Sequence, residues 1–269
     1  MILEHIHKKI ESTKFLIQRD NLIIPSDTER EIAHIVTNQI SKYKEAKTQL
    51  LDSDYETEIS KVSNALMKYF GNDIYEKYNQ ENSFIRQTST QNYFTEFMLN
   101  IPLVINIPKQ LNETSHVFIG HEIIHVLKDG QNDNEWIYSL IYSEVLPMLY
   151  ELIQTENSTI SHKVLNWRLN KLLYMYNNAY REEIYYVLKN YTELIDYYQI
   201  PENIYFISFY YTILLYSIYL KDKTKVLEEI KKVLKQKITT KELLEEFGLL
   251  NKINQNAFYN EYQKLILKI

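Results

Sequence analysis

Four glycines and five prolines in 269 residues leave this chain few places to reverse direction tightly. That scarcity predicts helices joined by short connections rather than a turn-rich β fold. Ile2, Leu3, Ile6, Ile10 and Phe15 stand at roughly helical spacing and predict an amphipathic helix over residues 1–20. Ser26-Asp27-Thr28-Glu29 has the form of a capping box, opening a second helix that should run to about Leu51. A third carries Ile59, Val62, Leu66 and Phe70 and stops at Gly71. The Lys and Glu runs of this region read as solvated faces.

From Asn72 to Asn100 the pattern is weak and polar. The clear β signal is Ile101-Pro-Leu-Val-Ile-Asn-Ile-Pro108, which is short, β-branched and bounded by prolines. Prolines at both ends favour an edge strand, because proline cannot donate to a ladder. A buried core strand fits the same composition. Along an open edge, Leu103, Val104, Ile105, Asn106 and Ile107 could align an extended peptide by strand addition.

Beyond this strand, after Lys109 to Ile119, comes Gly120-His121-Glu122-Ile123-Ile124-His125, an H-E-x-x-H sequence. Histidines four apart fall on one helix face, so both imidazoles can reach one metal ion. Glu122 then sits beside that ion without ligating it, placed to take a proton from water. Two histidines leave a zinc site incomplete, and a carboxylate is a known third partner that keeps a position open. Glu144 is the candidate, on a helix expected from about Asn134 to Gln154 and kinked by Pro147. Glu151 lies two turns further along roughly the same face and is a candidate to hydrogen-bond a ligating histidine, with a surface or structural carboxylate as the alternative. His116 is off the four-residue register and reads as an ordinary histidine.

Composition narrows the chemistry further. The chain has no cysteine, so it can hold neither a disulfide nor a thiolate-bound metal; zinc would have to be held by histidine and carboxylate. A net charge of −5 gives no basic footprint for nucleic acid. Ile204 to Leu220 lacks charged side chains but falls short of the roughly 20 apolar residues that span a bilayer, so a buried helix opened by Pro201 is expected there. The amino terminus lacks the apolar run of a signal peptide, and a cytoplasmic protein is the default.

Taken together, the extended segment, Tyr138-Ser139 through Glu144 to Glu151-Leu152, and Ile200-Pro201 through Phe209-Tyr210-Tyr211 resemble the oligoendopeptidase F and thimet oligopeptidase family of zinc peptidases. The resemblance covers roughly residues 92–220. Departures are Ile124 where the family usually has glycine, a shorter interval to Glu144, and no histidine near Glu202 or Asn203. The resemblance implies a mainly α, zincin-like fold with a small β element before the H-E-x-x-H helix. Residues 1–90 would form a helical scaffold or cover within one unit, and 91–269 the catalytic core. It implies Zn²⁺ held by His121, His125 and Glu144, Glu122 as base, and Tyr205, Tyr210 or Tyr211 as a donor to the developing oxyanion; core packing is the alternative for each tyrosine. The expected activity is hydrolysis of peptides or unfolded segments. The alternatives are a highly specific proteinase of the repressor-cleaving type, or a non-catalytic helical binding protein retaining a metal site.

Overall fold

The computed structural model describes residues 27–80, 84–89, 92–98, 101–129, 142–179 and 192–267. They are mainly helical. α1 (Asp27–Ile40), α2 (Tyr55–Phe70) and α3 (Asn72–Gln80) come before the main sheet. α4 (Ser115–Asp129), α5 (Val145–Gln154) and α6 (Ser161–Ala179) come after it. α7 (Thr192–Lys221), α8 (Lys223–Leu234), α9 (Thr240–Glu246) and α10 (Gln255–Ile266) complete the set. The helix expected over residues 1–20 lies outside the described residues.

Local signals set several boundaries. The Asp54 side chain accepts from the Thr57 backbone N–H at 2.9 Å and so starts α2, which Gly71 ends with φ +87°. Thr239 and Glu242 form the reciprocal capping box of α9. Ser26 of the box expected at Ser26–Glu29 lies outside the described residues; Glu29 is buried and accepts from the Tyr142 hydroxyl at 2.6 Å. α1 also stops at Ile40, short of Leu51. The segment beyond it is pinned in irregular form along α6, with the Asn166 and Asn170 amides donating to the Ala46 carbonyl at 2.8 and 2.9 Å.

The sheet departs most from expectation. β4 (Ile101–Pro108) is its middle strand, parallel to β2 (Phe84–Thr88) and antiparallel to β3 (Phe94–Met98). The segment expected at an edge is therefore covered on both sides. Its prolines fit because they occupy the second and last positions, where little ladder is lost. A separate two-stranded ladder joins β1 (Asp52–Ser53) to β5 (Leu111–Asn112) and leads into α4.

α7 packs against α1, α5, α6, α8 and α10. Its residues Phe206 to Tyr216 are buried on every side, which explains a stretch that is apolar and tyrosine-rich yet carries no charge. Pro201 lies inside α7 rather than at its start, a correction to the expected boundary. One continuous apolar core runs from Ile32 in α1 to Leu265 in α10. No helix among the described residues is long and apolar enough to cross a membrane.

Candidate metal centre

α4 and α5 form the frame of the site. They approach closely because position 120 is glycine: a Cβ there would lie 2.6 Å from the Tyr150 hydroxyl. α4 carries His121 and His125 one turn apart, with ring centroids 5.0 Å apart. Glu144 sits just ahead of the first turn of α5 rather than inside a longer helix. Pro147 belongs to that first turn, where a missing N–H costs nothing, so the expected kink is not needed.

This geometry brings the three candidate ligands together. Glu144 Oε2 lies 3.2 Å from His121 Nε2, and Glu144 Oε1 lies 3.3 Å from His125 Nε2. One donor atom from each residue falls within 4.8 Å of the others, and all three residues are buried. Bonds of about 2.0–2.1 Å in a tetrahedral zinc site separate neighbouring donors by about 3.3 Å, so these spacings suit shared coordination. Glu144 Oε2 is a buried acceptor without a hydrogen-bond partner. Such an orphan costs free energy unless something completes it, and a cation between the three groups would. Burial acts to raise the Glu144 carboxyl, but the His125 and His121 imidazoles outweigh it and hold the group well below the ordinary carboxylate value. Those three residues can hold a metal ion.

Behind His121 stands the glutamate expected there. Glu151 Oε1 is 2.8 Å from His121 Nδ1, which places the ring proton on Nδ1 and leaves the Nε2 lone pair toward the centre. Arg168 from α6 donates through Nε to Glu151 Oε2 at 3.1 Å, and through a second nitrogen to Oε1. Burial would raise the Glu151 carboxyl; Arg168 and His121 reverse that and lower it. The arginine was not foreseen, since nothing about its spacing in α6 distinguishes it from a surface residue.

Glu122 lines a cavity of about 550 Å³ together with His121, His125, Glu144, β3 and α6. Its Oε1 is 4.0 Å from His121 Nε2, while Oε2 accepts from the Thr95 hydroxyl at 2.7 Å. Thr95 lies on β3, in the stretch whose pattern read as weak and polar.

Nothing matches the chain among family models, curated proteins or solved structures.

The tyrosines divide. Tyr205 lines the cavity. Tyr210 and Tyr211 do not, because five and six residues further along a helix turn the side chain about 140° and 120° away from Tyr205. Tyr210 is fully buried and its hydroxyl accepts from the Asn254 backbone N–H at 2.7 Å. Tyr211 packs edge-on against Tyr142 at 5.6 Å. Both belong to the core.

The strand residues are also displaced from their expected role. Val104, Ile105, Asn106 and Ile107 are paired with β2, and Val104 to Asn106 with β3 as well. Ile105 and Ile107 are wholly buried, and Asn106 accepts from Arg86 Nε at 2.8 Å. Leu103 belongs to the same middle strand. Phe94 and Thr95 of β3 line the cavity instead, and β3 pairs with β4 alone among the described strands.

Proposed function

We propose that the chain is a zinc-dependent peptidase acting on peptides or unfolded segments. The observation that carries this reading is Glu122: a carboxylate that takes no part in the His121–His125–Glu144 cluster, yet faces the same cavity and is held by the Thr95 hydroxyl. A protein that only stored a metal would need no such group. When bound, a zinc ion supplies a Lewis acid that polarises a carbonyl and makes a water molecule easier to deprotonate.

The chain's own groups do the rest. Glu122 accepts the proton of the attacking water and delivers it to the departing amine. Thr95 orients that carboxylate by occupying one oxygen, so the other is left to face the reacting water. Glu151, backed by Arg168, keeps His121 in one tautomer. Tyr205, the tyrosine of the three that reaches the cavity, is the candidate donor to the oxyanion. An extended substrate is expected to pair with β3 rather than β4, since β3 has no strand on its other side among the described residues.

The test is Glu122→Gln. The variant should bind zinc in the wild-type ratio and cleave peptides at least a hundredfold more slowly, measured by zinc analysis and a quenched-peptide assay. Equal cleavage by both proteins would refute the mechanism. Zinc binding with no cleavage of any peptide would favour a metal-holding binding protein instead. Breadth of cleavage in a peptide library separates a general oligopeptidase from a proteinase with a single target.

A further inference from the structure

The cavity wall holds one lysine or arginine among the described residues, Lys171. It comes from α6, three residues after Arg168 and four after Trp167, and so shares their helix face. Its ammonium lies 5.1 Å from the Trp167 ring centroid and 5.7 Å from that of Tyr205. Both are within the range of cation–π attraction. No carboxylate pairs with it among the described residues. Burial lowers its pKa first and the Arg168 charge next, against the opposing pull of Glu144, Glu122 and Glu151.

A partly buried ammonium with no carboxylate in direct contact is costly, and surface lysines avoid the situation by swinging into water. Here the aromatic walls hold the charge at the cavity instead. The charge balance points the same way. Around the centre, the carboxylates of Glu122, Glu144 and Glu151 face Arg168 and Lys171. A divalent ion at the three ligands would leave this group with one positive charge in excess. Without Lys171 the excess vanishes. A substrate bearing one negative charge near its reacting bond would restore neutrality among these partly buried groups.

We propose that Lys171 is a specificity residue which selects substrates carrying a carboxylate beside the bond to be cleaved. This rests on the peptidase reading. The carboxylate can be the substrate's own carboxyl terminus or an Asp or Glu side chain, since both present the same chemistry. The first source gives removal of short carboxy-terminal fragments, and the second gives internal cleavage next to acidic residues.

Binding separates this proposal from turnover. Zinc-loaded Glu122→Gln protein, which leaves ligands intact, is titrated calorimetrically with N-acetyl-tetra-alanine ending in either a free carboxylate or a carboxamide. A second pair has a blocked carboxyl end and either Glu or Gln at an internal position. One charged peptide should bind at least tenfold more tightly than its neutral twin, and which pair does so names the source. Adding Lys171→Met should abolish the difference while zinc content and circular dichroism stay unchanged; Lys171→Arg should keep part of it. If Lys171→Met does not fold, Lys171→Gln is read in its place. Equal binding of charged and neutral peptides, or a preference that survives loss of the lysine, overturns the proposal. So would a wild-type background in which Lys171→Met lowers kcat equally for charged and neutral peptides, since that marks an oxyanion donor. If the Lys171-dependent preference appears but no peptide is ever cleaved, the carboxylate site stands and the peptidase reading falls.

Discussion

Gly120 stands immediately before His121, and its missing side chain decides how near α5 can come. Gly120→Ala should destabilise the protein by about 1–3 kcal/mol, the usual cost of overpacking, because Tyr150 is fully buried and has nowhere to retreat. Thermal unfolding would read this as a Tm lower by several degrees, and zinc affinity should fall as the ligands on α4 and α5 are pushed apart. Tyr150→Phe makes the opposite case. The Tyr150 hydroxyl is buried without a hydrogen-bond partner, and burial pushes its pKa well above the ordinary tyrosine value. Removing it should leave stability unchanged or raise it by up to about 1 kcal/mol in urea unfolding. A loss larger than that would mean the hydroxyl has a role that its surroundings do not reveal.

Between elements, α2 holds α4 by its amino-terminal end. Glu58, wholly buried in α2, accepts from the His116 backbone N–H at 2.8 Å and lies 2.7 Å from the His116 ring, while Ser53 of β1 and Lys61 also reach it. A carboxylate at the start of a helix satisfies an otherwise bare donor and opposes the helix dipole. Burial alone would raise its pKa, but His116, Lys61, Ser53 and the backbone together bring it down from 4.5 to about 2. The folded state then binds the proton less readily than the unfolded state. The stabilisation is complete above about pH 4.5 and is lost as pH falls toward 2. The shift corresponds to at most about 3 kcal/mol. Glu58→Gln should be less stable at pH 7 and lose less than wild type between pH 5 and 3, as urea unfolding at each pH would measure. Equal acid sensitivity of the two proteins would count against this role. Spacing alone makes His116 an ordinary histidine and α2 a scaffold, because a contact between residues 58 apart leaves no trace in it.

Across the whole molecule, legibility in the sequence followed distance along the chain. The two-histidine face and the charge-free buried helix depend on neighbours a few residues away, and each could be read directly. Glu144 and Glu151 were reachable because one stands at the start of α5 and the other within it, on the next described helix after α4. Thr95, Arg168 and Lys171 come to the site by tertiary packing, and the middle position of β4 depends on β2 and β3, whose sequences look polar. Because the ligands span α4 and the start of α5, bound metal should stabilise the fold as a unit. Zinc at a hundred times its dissociation constant would add about 2.7 kcal/mol, so a strong chelator should lower Tm by several degrees. His121→Ala should be indifferent to the same chelator. A wild-type Tm unaffected by zinc or chelator would speak against the site. The Glu58–His116 link also bears on attempts to obtain a smaller working fragment. Trimming the chain to begin near residue 91 would strip away the acid that tethers the histidine-bearing helix and uncover the apolar faces that α1 and α2 shield. Such a fragment should aggregate even though every presumed active residue were still in it, and only the longer chain would be a fair starting point for engineering.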